Sequence, residues 1–300
     1  MNEFEIIEGI KKVSQSPYID DDCAFLDTEK IVVTQDNLVE NVHFSLDWCN
    51  FYQLGYKSAI VNISDVLASG AKPAYITLGL SVTNHQSNDD IYNFMKGFND
   101  VCRAYDVKII GGDTTLSKSG VFISVTAIGT TTGRRISSRK NAKPGYVVVT
   151  SGEHGLSAAG LKELVKDKNA RTKYTDALLM PKIDADFSEL ISKNIDCDYS
   201  MMDTSDGLAD ALFKIAQLSN ATVICNYDSI PHYNDISKED VLFGGEDYKL
   251  VAAVPKEFAQ KHGLTVIGYV VKQDNDTILK IDNDEYKSYN ELNVFKHFGD

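Results

Sequence analysis

Acidic side chains recur where apolar segments of this 300-residue chain end, or inside helices that are otherwise apolar. The members of this set are Asp21, Asp22, Asp36, Asp65, Asp113, Asp203 and Asp206. A carboxylate in apolar surroundings is costly unless it finds a partner. Hard oxygen ligands suit Mg²⁺, which is commonly held by one or two carboxylates together with substrate phosphates and water. The residue types therefore predict a magnesium site that serves a phosphorylated ligand.

The segment from Val32 to Phe44 begins with β-branched residues and continues into polar ones. Asp36 lies at the exit of the β-branched run, and His43 follows seven positions later. This order predicts a strand that delivers an acidic group to the mouth of a site. For His43, a loop histidine satisfied by a hydrogen bond is the alternative interpretation.

Three further segments combine small residues with acidic ones. Asp203, Ser205 and Asp206 come just before a predicted helix, where free backbone amides and hydroxyls can reach a phosphate. A helix cap with acidic residues in the first turn is the alternative interpretation there. Gly111-Gly112-Asp113 and Gly244-Gly245-Glu246-Asp247 place two glycines before a carboxylate, which permits close approach of the backbone to a ligand. Glu246 and Asp247 are equally suited to capping an element.

Common alternatives to such a site are missing from the sequence. There is no G-x-x-x-x-G-K-[ST] loop and no G-x-G-x-x-G after a predicted strand. There is also no H-E-x-x-H and no Cys/His cluster, which argues against zinc. The five cysteines are scattered and form no C-x-x-C pair, so thiols in a reducing compartment are expected.

The overall charge limits the partners. A formal net charge of −13 disfavours nonspecific binding to nucleic acid or to an anionic membrane. An anionic ligand then needs a neutralising group, for which bound divalent metal is suited. The segment 134–143 is locally basic, which favours a phosphate contact or, alternatively, a flexible interdomain connection. An acidic N-terminus, and no apolar run of roughly 20 residues, lead us to expect a cytoplasmic protein.

The elements that position these groups follow from length and periodicity. The length predicts two domains, each with its own core. Apolar residues at helical spacing predict helices over 52–69, 88–105, 157–167 and 176–194, the last despite Pro181. Strands are predicted over 74–82, 107–110, 121–129 and 146–150, which gives a mixed α/β architecture.

The ordered motifs resemble the thiamine-monophosphate kinase family, part of the superfamily that includes aminoimidazole ribonucleotide synthetase. The resemblance covers nearly the whole chain. Its motifs are Asp21-Asp22-Cys23-Ala24, residues 36–44, Asn62-Ile63-Ser64-Asp65, Gly111-Gly112-Asp113-Thr114-Thr115, Arg139 with Lys143-Pro144-Gly145, residues 157–161, residues 201–208 and Gly244-Gly245-Glu246-Asp247-Tyr248.

The resemblance implies a homodimer with an N-terminal dimerisation and nucleotide domain over 1–143 and a C-terminal α/β domain over 144–300. The N-terminal sheets of two subunits would pair into a shared barrel, with ATP in a cleft near the interface. The implied magnesium ligands, for several ions, are Asp22, Thr34, Gln35, Asp36, Asp65, Asp113, Asp203 and Asp206. The implied ATP contacts are Gly112, Asp113, Arg139 and Ser205. The implied contacts to thiamine phosphate are His43, Glu246 and Phe295.

The implied reaction is transfer of the γ-phosphoryl group of ATP to thiamine phosphate, which gives thiamine diphosphate. A phosphate monoester has a second pKa of about 6, so the attacking oxygen is already ionised and no general base is required. The family usually has threonine on both sides of the acid at position 36, where this chain has Gln35 and Asn37. Two alternatives remain: another ATP-dependent enzyme of the superfamily, or a non-catalytic paralogue that binds nucleotide or thiamine phosphate.

Overall fold

The computed structural model describes residues 3–19, 21–273 and 276–295, and it contains two β-sheets with helices packed around them. The first sheet has five strands in the order β1-β2-β5-β3-β4, in which only β3 and β4 are parallel neighbours. The elements of this half are α1 (Glu3–Ser14), β1 (Ala24–Leu26), β2 (Ile31–Val39), α2 (Phe51–Ala68), β3 (Lys72–Val82), α3 (Asn88–Ala104), β4 (Lys108–Leu116) and β5 (Phe122–Thr130).

The second sheet has seven strands in the order β12-β11-β8-β10-β6-β9-β7. Its strands are β6 (Tyr146–Thr150), β7 (Ser200–Asp203), β8 (Ala221–Cys225), β9 (Leu250–Pro255), β10 (Thr265–Lys272), β11 (Leu279–Ile281) and β12 (Asp284–Tyr286). Its helices are α4 (Leu156–Lys166), α5 (Lys173–Leu179), α6 (Ala185–Asn194), α7 (Leu208–Leu218), α8 (Lys238–Phe243) and α9 (Lys256–His262). The predicted mixed α/β architecture is confirmed, and the first sheet is open within one chain.

Helix α2 joins the two halves. Asn50 caps it by accepting from the backbone N–H of Gln53, whose side chain in turn accepts from the N–H of Asn50. The helix is buried on nearly all sides, because it packs against α3, β2 and β5 of the first half and against β7 and α6 of the second. Asp65 is therefore carried on the element that both halves enclose.

Strand β2 extends farther than the β-branched run indicates. It continues to Val39, so Asp36 lies within the strand and not at its exit. Alternation places Asp36 on the same face as Thr34, which is turned toward α2. Gln35 lies on the opposite face, where its side-chain amide bonds to the hydroxyls of Ser124 and Thr126 on β5.

Strand β4 corrects a second expectation. The strand predicted over 107–110 runs on to Leu116 and contains the Gly111-Gly112-Asp113 motif. Gly112 has φ +154°, and a Cβ there would lie 2.0 Å from the carbonyl oxygen of Leu78 on β3. Close approach of two strands therefore requires this glycine. The whole of β4 is exposed at an edge of the sheet.

The segment 176–194, predicted to be largely helical, contains two helices. Helix α5 ends at Leu179, and α6 begins at Ala185 with Asp184 as its cap. Pro181 lies in the break, since proline has no N–H for the helical ladder and its ring obstructs the preceding turn. No helix in the described ranges is both long and apolar enough to cross a membrane.

Candidate functional site

Three carboxylates from different parts of the chain converge at the junction of the two sheets. Asp22 lies just before β1, Asp65 lies in α2 and Asp203 ends β7. One oxygen from each lies within 4.8 Å of one from each of the others. Because each of the three carboxylates is carried by a different part of the fold, the cluster forms only when both halves are folded together.

Hydroxyl groups hold two of these carboxylates in place. Thr34 donates to Asp65 at 2.6 Å, and Ser205 donates to Asp203 at 3.1 Å. Ser64, next to Asp65 on α2, also donates a short hydrogen bond to Asp203. Such supporting contacts orient ligand oxygens before a metal binds.

The cluster is electrostatically unfavourable without a cation. Burial, followed by the charges of Asp206 and Asp22, raises the pKa of Asp36 to about 6. Burial and then Asp22 raise the pKa of Asp203 to about 7. Burial and the charges of Asp36 and Asp203 raise the pKa of Asp65 well above its ordinary value. A buried set of hard oxygen donors that repel one another fits a divalent ion such as Mg²⁺.

Basic side chains meet several of these carboxylates. Arg139 bonds to both oxygens of Asp22 through Nε at 3.2 Å and Nη2 at 2.6 Å. Lys214 lies 3.2 Å from Asp206 and 2.9 Å from Asp210. Arg139 was expected at the site from its motif, whereas Lys214 was not. The spacing of Lys214 four residues after Asp210 on α7 was the available signal.

A cavity of about 870 Å³ adjoins the cluster. Along α2 its lining residues lie on one side of the helix, and they are Gln53, Leu54, Lys57, Val61 and Asp65. The lining along α2 therefore ends in an acidic residue, Asp65, toward the C-terminal end of the helix. The other acidic lining residues are Asp36, Asp203, Asp206 and Glu246, and the aromatic ones are Phe44, Trp48, Tyr248 and Phe295.

The three residues predicted to contact the acceptor substrate all line this cavity. They are His43, Glu246 and Phe295. The Nδ1 atom of His43 accepts a hydrogen bond from the backbone N–H of Val39 at 3.1 Å, which fixes the ring. Glu246 forms an ion pair with Lys57, Oε2 to Nζ at 2.6 Å.

Gly112 and Asp113 do not reach the cluster within one chain. Asp36 is in register with Val125 of β5, which is in register with Leu78 of β3 and, through it, with Gly112 of β4. Three steps between neighbouring strands separate Asp113 from Asp36 by roughly 14 Å. Arg139 and Ser205, the other predicted nucleotide contacts, do bond to members of the cluster.

The segment Gly244-Gly245-Glu246 packs directly on the segment 203–206. The N–H of Glu246 donates to the carbonyl of Ser205 at 2.6 Å. A Cβ at Gly245 would lie 2.6 Å from that same oxygen, so protein backbone, and not a ligand, requires this glycine. Glu246 itself has φ +66°, a conformation that is strained for a residue with a Cβ.

Asp247 has the capping role that the sequence left open. Its carboxylate accepts from the N–H groups of Gly155 at 2.5 Å and Ser157 at 2.9 Å, at the start of α4. It is buried, and burial raises its pKa to about 6. Glu246 thus faces the cavity while its neighbour supports the helix.

Asp247→Asn is expected to lower the free energy of unfolding by about 1–2 kcal/mol at pH 8, because the amide offers one acceptor oxygen to two buried N–H groups. Urea denaturation measures the change. Asp228→Asn, at an exposed aspartate, is the matched control and should have no comparable effect. Equal midpoints for the two variants would contradict the capping role.

Comparison with known proteins gives matches along the chain. Residues 20–131 match the family model described as AIR synthase related protein, N-terminal domain, and residues 143–280 match the corresponding C-terminal domain. A thiamine-monophosphate kinase of Bacillus subtilis is 32% identical over 97% of this chain and 99% of that protein.

Solved structures are also similar. One described as AaThiL complexed with AMPPCP and TMP superposes with a TM-score of 0.89, at 30% identity, covering 99% of this chain and 97% of that one. A thiamine monophosphate kinase structure from Aquifex aeolicus gives a TM-score of 0.84, at 30% identity, covering 95% of this chain and 98% of that one.

Proposed function

This chain belongs to the family of AIR synthase related proteins, and on that basis we propose that it phosphorylates thiamine phosphate with ATP. The products are thiamine diphosphate and ADP, in the biosynthesis of thiamine diphosphate. The observation that carries the proposal is the convergence of Asp22, Asp65 and Asp203 beside a cavity that also holds the predicted acceptor contacts. A relative of the same architecture, bound to AMPPCP and TMP, supports it.

The proposed magnesium ligands within one chain are the groups that bond to or surround the cluster. They are Asp22, Thr34, Asp36, Asp65, Asp203 and Asp206, with Gln35 limited to its backbone carbonyl. Several Mg²⁺ ions, when bound there, supply screening between two polyanions and stabilise charge in a loose, in-line transition state.

The chain's own groups orient the reactants. Arg139 and Ser205 are the proposed contacts to ATP, and each is already fixed by a carboxylate of the cluster. His43, Glu246 and Phe295 are the proposed contacts to thiamine phosphate. No general base is needed, because the acceptor phosphate is ionised at neutral pH. The Nδ1 atom of His43 is in any case occupied by the N–H of Val39.

We propose a homodimer in which β4 faces a second copy of the chain. An edge strand that leaves Ile110 54% and Leu116 70% exposed is prone to be covered by a partner. Asp113 lies on this same strand, roughly 14 Å from Asp36 of its own chain. The second copy would therefore supply Gly112 and Asp113 to the nucleotide site, as part of the shared barrel implied by the family resemblance.

Mixing two inactive variants tests this arrangement. Asp65→Asn and Asp113→Asn are each expected to be inactive as homodimers. After unfolding and refolding together in equal amounts, half of the dimers are mixed and each contains one intact site, so about a quarter of wild-type activity should return. If Asp113 acts within its own chain, no mixed site is intact and no activity returns.

Product analysis tests the reaction itself. Incubation with ATP, Mg²⁺ and thiamine phosphate is expected to yield thiamine diphosphate and ADP in equal amounts, resolved by chromatography. Binding of ATP and thiamine phosphate without product would instead identify a non-catalytic binder. ATP consumption only with another acceptor would identify another enzyme of the superfamily.

We further propose a domain boundary between residues 143 and 144 and action in the cytoplasm. The last strand of the first sheet ends at Thr130 and the first strand of the second begins at Tyr146, and a connecting segment between them supports this boundary. ATP as co-substrate and five cysteines that remain thiols support a reducing, ATP-containing compartment.

A further inference from the structure

Lys57 is a buried cation that the proposed reaction does not yet use. It lies in the middle of α2, with 6% of its side chain exposed, and its ammonium pairs with Glu246. Among the described residues that line the cavity, it carries the only ammonium or guanidinium group. Lysine is almost never buried to this extent without a specific partner. The pair with Glu246 is therefore a specific interaction of the folded structure.

Glu246 is held by more than its ion pair. Its N–H donates to Ser205, and its carbonyl accepts from the hydroxyl of Ser157 at 2.8 Å. These contacts keep the residue at φ +66° despite the strain. Backbone strain that the surroundings enforce is concentrated at ligand sites. The side chain remains 30% exposed, toward the cavity that Glu246 lines.

The position of the pair along α2 matches one part of the acceptor substrate. Lys57 is eight residues before Asp65 on the same face, which is roughly 12 Å along the helix axis. Thiamine phosphate carries its phosphate on a two-carbon arm, and the cationic thiazolium and the aminopyrimidine lie farther away. With the phosphate at the acidic end of the cavity, the ring system reaches the Lys57–Glu246 pair.

We propose that Lys57 is a positioning residue that holds the Glu246 carboxylate in place and directs it at the thiazolium cation of the acceptor. The proposal rests on the proposed function. Without the ammonium, a half-buried carboxylate loses both its counter-charge and the hydrogen bond that fixes its rotamer. At the ATP end of the site, Glu246 bonds to Ser205 through its backbone N–H, whereas the ion pair itself is made by the side chains of Lys57 and Glu246.

Lys57→Met tests the proposal through the two Michaelis constants. The KM for thiamine phosphate is expected to rise about 10- to 100-fold, while the KM for ATP stays within about twofold. Lys57→Arg, which keeps the charge, should recover most of the affinity. Lys57→Gln provides a second uncharged variant, and it should lose affinity for thiamine phosphate as the methionine variant does.

Two further measurements separate positioning from a general structural effect. Glu246→Gln should raise the KM for thiamine phosphate by a similar factor, and adding Lys57→Met to it should cause no further loss. Binding of 4-methyl-5-(2-phosphoethyl)thiazole, whose ring lacks the positive charge of the thiazolium, should be unaffected by Lys57→Met.

Additive effects of the two substitutions, or equal losses for ATP and thiamine phosphate, overturn the proposal. Wild-type protein that makes no thiamine diphosphate refutes the proposed function. If the wild type makes thiamine diphosphate but the KM for thiamine phosphate is unchanged in Lys57→Met, only the proposed role of Lys57 is refuted.

Discussion

Asp203→Asn is expected to abolish magnesium-dependent phosphoryl transfer and, at the same time, to make the metal-free protein more resistant to unfolding. Asp203 is fully buried beside Asp22 and Asp65, so its charge is unfavourable until a cation binds. Asparagine keeps an oxygen that can accept from Ser64 or Ser205, but it removes the charge. With this proposed metal ligand lost, turnover should fall by at least about a thousandfold.

The pH dependence of this effect follows from the raised pKa of Asp203, which is about 7 in the folded protein against an ordinary value of 3.8. Between these values the folded state binds a proton that the unfolded state has released. The stabilising contribution of this proton is therefore present below about pH 4 and is lost as the pH rises to 7. In EDTA, the variant should exceed the wild type by roughly 1–4 kcal/mol at pH 8 and match it near pH 4.

Thermal unfolding with and without Mg²⁺ measures both parts of this prediction. Magnesium should raise the midpoint of the wild type by mass action and leave that of the variant nearly unchanged. Asp228→Asn, at an exposed position, should behave as the wild type in every condition. A variant that unfolds more easily than the wild type in EDTA at pH 8, or that still turns over, would contradict the role of Asp203.

The carboxylate cluster was predictable in part because two of its members, Asp65 and Asp203, break a local rule of sequence patterning. An aspartate within the apolar helix α2 and another at the end of a buried strand are costly in isolation, so both indicate a partner. The order of the motifs along the chain indicated the remaining member of the cluster. The architecture followed from periodicity, although the ends of β2 and β4 did not, because strand pairing extends them through polar residues and glycines.

Tertiary contacts set the parts that the sequence did not reveal. In the sequence, Lys57 is one polar residue within a predicted helix. Only the folded structure brings it into contact with Glu246, 189 positions away. Glu246 and Asp247 are adjacent and chemically alike, yet the positive φ of Glu246 turns one to the cavity and the other to a helix cap. The proposed role of Asp113 depends on a second copy of the chain. The sequence of one chain does not show which residues two copies bring together.

Removal of the Arg139 guanidinium should destabilise the protein in EDTA by about 3 kcal/mol, because it leaves the Asp22 carboxylate, only 4% exposed, without its counter-charge. Arg135→Met, which removes an exposed ion pair to Asp198 in the same basic segment, should cost at most about 1 kcal/mol. Urea denaturation measures both losses.

Magnesium should restore the stability of Arg139→Met without restoring its activity. The ion would take over the counter-charge at Asp22, which lies within the same 4.8 Å cluster as Asp65 and Asp203. The affinity for Mg²⁺ should not fall, since a competing cation has been removed, whereas the KM for ATP should rise at least about tenfold. A stability deficit that persists at saturating Mg²⁺ would remove Asp22 from the metal ligands. Full recovery of activity would remove Arg139 from the ATP site.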